Sequence, residues 1–236
     1  MSGTELAYGL AAAAANIVGA IAVTSSKRWS VQALDKLLAF AAGFLLSVAF
    51  VDLLPESIER GGRPAAVAAL IAYLLVHLTQ HTLGGHFHFG EETHAVTPRV
   101  SRTALIGLLM HTFVDGVAVA SGLLVNPAVG ALVFVGVLLH KFPEGLAISS
   151  LFLAAGASRR QAIGAAAALG FATLLGVLLT DSFAGLQTYG LAISAGVTIY
   201  VGASNLVPEI QARGGWSTPV SFIAGCGAYF AASAVL

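Results

Sequence analysis

The chain has 236 residues, 57% hydrophobic and only 9% charged, with eleven Lys/Arg balanced by eleven Asp/Glu and a mean hydropathy of +0.88. A soluble domain carries roughly 25% charged residues, so this composition excludes an ordinary water-facing globule, and its hydrophobicity excludes disorder. Zero net charge argues against nucleic acid as a partner, and the lone Cys226 excludes an intrachain disulfide and a paired-cysteine metal site; what is left is an integral membrane protein with the lipid bilayer around it.

A spanning helix needs about 20 mostly apolar residues. Eight segments qualify, at about 6–24, 34–54, 64–80, 103–124, 128–153, 162–180, 185–207 and 216–235. They are continuous and rich in Ala, Gly and Leu rather than alternating, which predicts an all-α membrane protein with eight transmembrane helices and not a β-barrel. Eight spans use roughly 160 residues, so the connections are short and 1–236 reads as a single transmembrane domain. The first segment has no basic stretch before it and reads as a retained span, not a cleaved signal. The 27 glycines, mostly within spans, predict close helix packing.

Eight spans put both termini on one side. The odd-numbered connections hold Lys27, Arg28, Lys36, Arg99, Arg102, Arg159, Arg160 and Arg213, whereas the even ones hold only Arg60 and Arg63. Basic residues mark cytoplasmic loops, so the odd connections face the cytoplasm and both termini lie outside a cell (plasma or inner) membrane.

Two internal repeats follow. Residues 42–56, AGFLLSVAFVDLLPE, align without a gap on 195–209, AGVTIYVGASNLVPE, at an offset of 153. Residues 111–118, HTFVDGVA, align on 140–147, HKFPEGLA, at an offset of 29. Each repeat pairs helices of opposite direction, which predicts a 3+2+3 inverted-repeat arrangement, a recurring build for secondary transporters.

Polar side chains at membrane depth are costly and so point to function. His111 and Asp115 lie four residues apart on the fourth segment, and His140 and Glu144 on the fifth; that spacing puts each pair on one helix face. Two imidazoles and two carboxylates converging near the bilayer centre offer nitrogen and oxygen ligands to a divalent cation such as Zn²⁺ or Fe²⁺. A proton relay, or a structural tie between two helices, would use the same residues. Pro143 removes a backbone donor beside them, freeing a carbonyl or simply bending the helix.

HTFVDG, HKFPEG and SAGVTIYVGASNLVPE, with the eight segments and a His-rich connection, resemble the ZIP (Zrt/Irt-like) family of divalent metal transporters. The resemblance implies transport of divalent metal cations, zinc first and then iron, manganese or cadmium, into the cytoplasm by alternating access. The metal is then the bound substrate and no cofactor is implied. It carries the metal site onto His111, Asp115, His140 and Glu144, and implies that helices 1, 4, 5 and 6 carry the metal against the others. Many members bind a second metal with a polar residue after the first histidine and an acidic residue after the second; here those positions are Thr112 and Lys141. An ammonium there would stand in for the second cation and leave a single-metal site, while pairing of Lys141 with Asp115 or Glu144 would serve equally as a structural tie.

Asp52 and Glu56 fall at the outer end of the second segment, and Asn205 and Glu209 at the inner end of the seventh. They read either as attracting and releasing mouths of a metal path or as solvated helix ends. The connection at about 81–98, HTLGGHFHFGEETHAVTP, offers His81, His86, His88 and His94, either to capture metal on the cytoplasmic side or as a plain linker. His77 reads as an interface residue. A homodimer is compatible with the sequence. The rival functions are an intramembrane metal-dependent enzyme, which lacks an HExxH helix, and a channel, for which the single Asn126-Pro127-Ala128 reads instead as a turn.

Overall fold

The structure is a computed structural model that describes residues 3–25, 31–82, 98–207 and 215–235. Among the described residues every regular element is helical. They are α1 (Gly3–Thr24), α2 (Val31–Val48), α3 (Leu54–Thr82), α4 (Pro98–Val125), α5 (Pro127–Ala154), α6 (Arg159–Thr180), α7 (Ala184–Ile199) and α8 (Ser217–Ser233), with π-helical turns at Ala49–Leu53 and Tyr200–Leu206. Among the described residues, five stretches are long and apolar enough to cross a membrane: Gly3–Thr24, Asp35–Thr79, Ser101–Val125, Pro127–Ala154 and Arg159–Thr180. The second of these joins the predicted segments 34–54 and 64–80, which meet at a kink where Gly62 takes φ 60° and ψ −150°, a conformation that glycine adopts without steric cost. The predicted seventh and eighth segments are shorter as regular α-helix, with 16 residues in α7, which passes into the second π turn, and 17 in α8.

Sequence explains where the helices begin. Asn126 accepts a hydrogen bond from the Val129 amide at 2.9 Å and Pro127 takes the first helical position, where a missing N–H costs nothing. The Asn-Pro-Ala motif is thus a helix cap, and a single residue separates α4 from α5. Ser158 and Gln161 form a reciprocal capping box at the start of α6, satisfying two otherwise orphaned groups.

Beside an apolar core, large apolar side chains lie exposed while several polar ones are fully buried, unlike in a soluble protein. Met110 and Ile223 are each 67% exposed, whereas Asn16, Lys141, Thr173 and Ser194 are 0% exposed. Apolar groups outside and polar groups inside suit a lipid surround, where buried polar groups bond across helices.

The helices form two groups. α1, α4, α5 and α6 pack on one another, α2 packs on α8 and α3 on α7, and the groups meet where α4 touches α7 and α5 touches α2. Glycines set the close approaches. A Cβ on Gly19 would collide with the Phe142 carbonyl, and one on Gly145 with the Asn16 carbonyl, locking α1 against α5. The same reciprocal contact locks α6 against α4, through Gly176 at the Phe113 carbonyl and Gly116 at the Thr173 carbonyl. Gly116 and Phe113 are the 29-residue repeat partners of Gly145 and Phe142. In the second group Gly43 meets the Phe222 carbonyl and Gly196 the Ala69 carbonyl, positions matched at the offset of 153. The π turns match as well: Leu54 N–H donates to the Ala49 carbonyl and Val207 N–H to the Gly202 carbonyl.

Candidate metal centre

The i,i+4 spacing brings His111 and Asp115 to one face of α4, and the short turn at Asn126 folds α5 back so that His140 meets them. The candidate ligand atoms of His111, Asp115 and His140 lie within 4.8 Å of one another, and all three residues are buried. Asp115 Oδ2 is 3.5 Å from His111 Nε2 and 3.2 Å from His140 Nε2. The two rings face each other with centroids 5.5 Å apart.

Hydrogen bonding gives the rings different settings. His140 Nδ1–H donates to the Gly136 carbonyl at 3.0 Å, which assigns the Nε2 lone pair of a neutral ring to the carboxylate side. That arrangement of an outer partner fixing the tautomer is the usual support of a metal-binding histidine. A lone pair facing a carboxylate oxygen is repulsive unless a proton or a cation lies with them, so the geometry favours positive charge at this point. His111 Nδ1 is buried with no hydrogen-bond partner.

Lys141 is the neighbouring cation. Its Nζ donates to Asp115 Oδ2 at 2.6 Å and to Glu144 Oε2 at 2.8 Å, with the side chain fully buried. Glu144 is therefore joined to the cluster of three through Lys141, and its Oε1 is buried without a partner. Thr112 is buried too, but its hydroxyl donates to its own helix at the Leu109 carbonyl, 3.2 Å away. Two carboxylates and one ammonium leave the site one net negative charge when the imidazoles are neutral, rather than the two that the His/carboxylate pairs alone give.

Asn16 on α1 completes the surround, and nothing in the motif spacing pointed to it. With its carboxamide nitrogen turned to the two facing acceptors, Asn16 donates to the Lys141 carbonyl at 2.5 Å and to Glu144 Oε2 at 3.3 Å. The available signal is weak: Asn16 stands three residues before Gly19 as Thr173 stands three before Gly176, and both precede the glycines that lock α1 and α6 in place.

The residues of the predicted mouths have protein partners. Tyr229 O–H donates to Asp52 Oδ2 at 2.9 Å. Arg60 Nε donates to Glu56 Oε1 at 2.7 Å, and its Nη2 reaches the Val125 carbonyl at 3.5 Å. The Asn205 backbone lies in the second π turn, while its side chain and all of Glu209 lie outside the described residues, as do the His81 side chain and His86, His88 and His94. His77 packs edge-on against Tyr200, with ring centroids 5.8 Å apart.

The family model of the ZIP zinc transporter matches residues 91–228, which is 138 of 236 residues and includes all of α4 to α7. No curated protein matches the chain. Members of that family are transporters, which decides against the enzyme reading at the level of the family. With a buried His/Asp cluster inside apolar helices and a family match over more than half its length, the chain belongs to the ZIP zinc transporters, a family that moves divalent metal across membranes.

Proposed function

We propose that this protein carries zinc into the cytoplasm through one mid-membrane site, with His111, Asp115, His140 and Glu144 as ligands and Lys141 in place of a second cation. The observation that carries the reading is the convergence of the His111, Asp115 and His140 ligand atoms within 4.8 Å in a buried locus shared by α4 and α5. Borderline nitrogen and hard oxygen donors suit Zn²⁺, and also Fe²⁺, Mn²⁺ or Cd²⁺. Lys141 supports a single ion, since its ammonium already bonds the two carboxylates that a second ion would need.

In this reading the eight predicted segments span the membrane with both termini outside, in a 3+2+3 inverted repeat. The glycine contacts and π turns that match across the repeat offsets support that arrangement. The group α1, α4, α5 and α6 carries the ion against the group α2, α3, α7 and α8, rocking between faces as inverted-repeat transporters do. Asp52 and Glu56 attract the ion at one mouth, Asn205 and Glu209 release it at the other, and His81, His86, His88 and His94 capture it beyond.

The test is zinc uptake into vesicles containing the purified protein, with Fe²⁺, Mn²⁺ and Cd²⁺ as competitors. His111→Ala and Glu144→Ala are expected to fall to the rate of protein-free vesicles while the proteins remain folded and inserted. Wild-type uptake by both variants would refute the site.

A further inference from the structure

We propose that Asn16 is a positioning residue of the metal centre: it fixes the Glu144 carboxylate so that Oε1 is the oxygen presented to the ion. This rests on the reading of Glu144 as a ligand. A carboxylate turning about its last torsion offers either oxygen, since that torsion is broad and two-fold. Here Oε2 is taken twice, by Lys141 Nζ at 2.8 Å and, with the Asn16 amide oriented so that its nitrogen rather than its oxygen faces the two acceptors, by Asn16 at 3.3 Å, while Oε1 is buried and has no partner. Two donors on one oxygen remove the rotation and leave the other oxygen free.

The backbone contacts make Asn16 a rigid support. Gly145, next to Glu144, lies against the Asn16 carbonyl, and Gly19, one turn further along α1, lies against the Phe142 carbonyl. These contacts fix the α1 register at the site. Asn16 is itself 0% exposed, and a buried amide is costly unless its hydrogen bonds are met.

The matched position on the other side of the centre shows that close packing does not require this amide. Thr173 touches Gly116 through its carbonyl as Asn16 touches Gly145. Yet the Thr173 hydroxyl donates back to the Leu169 carbonyl of its own helix at 3.3 Å. The same glycine-to-carbonyl contact is made with a side chain that does not cross to the site. The crossing amide at Asn16 is therefore an addition to the packing, on the side that holds Lys141 and Glu144.

Asn16→Leu removes both donors at similar volume, and the isosteric Asn16→Asp replaces them with acceptors. Equilibrium zinc binding and zinc uptake in vesicles are measured for both, for Glu144→Ala, and for Asn16→Leu combined with Glu144→Ala. Losing a buried hydrogen bond to a charged group is expected to raise the zinc Kd and uptake KM roughly tenfold or more. In the Glu144→Ala background Asn16→Leu is expected to leave zinc Kd unchanged, because the two act through one group. Wild-type Kd and KM in the Asn16 variants, or an equal fold-loss with and without Glu144, would overturn the proposal while leaving Glu144 as a ligand. Wild-type zinc binding by Glu144→Ala would instead overturn the ligand assignment itself. Should Asn16→Leu fail to fold, Asn16→Asp carries the same test without a change of volume.

Discussion

Asp115 Oδ2 accepts Lys141 Nζ at 2.6 Å while two imidazole nitrogens stand 3.2 and 3.5 Å from it. A buried charge is tolerable only with a partner, and removing one member of a buried pair commonly costs about 3–5 kcal/mol. Lys141→Met is therefore expected to lower the melting temperature of the metal-free protein, and zinc is expected to restore more of that loss than it adds to the wild type, because the ion supplies the missing positive charge. Lys141→Asp is expected to raise bound zinc from one to two ions per chain by elemental analysis; a ratio that stays at one would remove Lys141 from the role of the second cation. The His and carboxylate positions were legible in the sequence because i,i+4 spacing is a helix property that needs no partner. Pairing of Lys141 with Asp115 or Glu144 was legible as well, although not that one ammonium bonds both. Asn16 was not legible, because its role depends on which helix covers α5.

The closest helix contacts in this protein are made backbone to backbone at glycines, and that sets what each element tolerates. Gly145→Val would drive a branched side chain into the Asn16 carbonyl, whereas Gly107 and Gly164 have open space where a Cβ would go. Overpacking of this kind costs about 1–3 kcal/mol or more. Gly145→Val is expected to lower the melting temperature in detergent by several degrees and to weaken zinc binding, while Gly107→Ala and Gly164→Ala hold both near wild type. Hydropathy alone located the helices to within about five residues, since the apolar runs are continuous, except that α3 begins at Leu54, ten residues before the predicted segment 64–80. It missed the two π turns, because their cause is a change of hydrogen-bond register that leaves composition untouched. Their positions nevertheless coincide with the repeat visible in the sequence, where a proline follows each turn by two residues, at Pro55 and Pro208.

At the scale of the whole molecule, the scarcity of charge reported a membrane protein before any helix was placed. The exposed apolar side chains and the buried polar ones agree with it. The charge asymmetry of the connections belongs to the proposal and can be tested directly. Cys226 is the lone cysteine and sits in the α2–α8 contact, its thiol 3.4 Å from the Gly43 carbonyl. In a Cys226→Ala background, a cysteine placed at Gly3 is expected to react with an impermeant thiol reagent from outside intact cells, and one placed at Gly156, in the turn before α6, only after the membrane is opened. The opposite pattern would invert the topology and with it the direction of transport.

The turn at Asn126 sets a limit on how the ligand set can open. α4 ends at Val125 and α5 begins at Pro127, and the one residue between them, Asn126, is already extended at φ −165° and ψ 165°, so the joint has almost no slack. A slide of one helix past the other by a full turn needs about 5.4 Å, more than this leash allows without unwinding a helix end. Asp115 and His140 are thus tethered as a pair, and the ion would travel with its ligands instead of being handed from one helix to the other. In the proposed transport cycle, exposure to either side would then come from what moves past the pair.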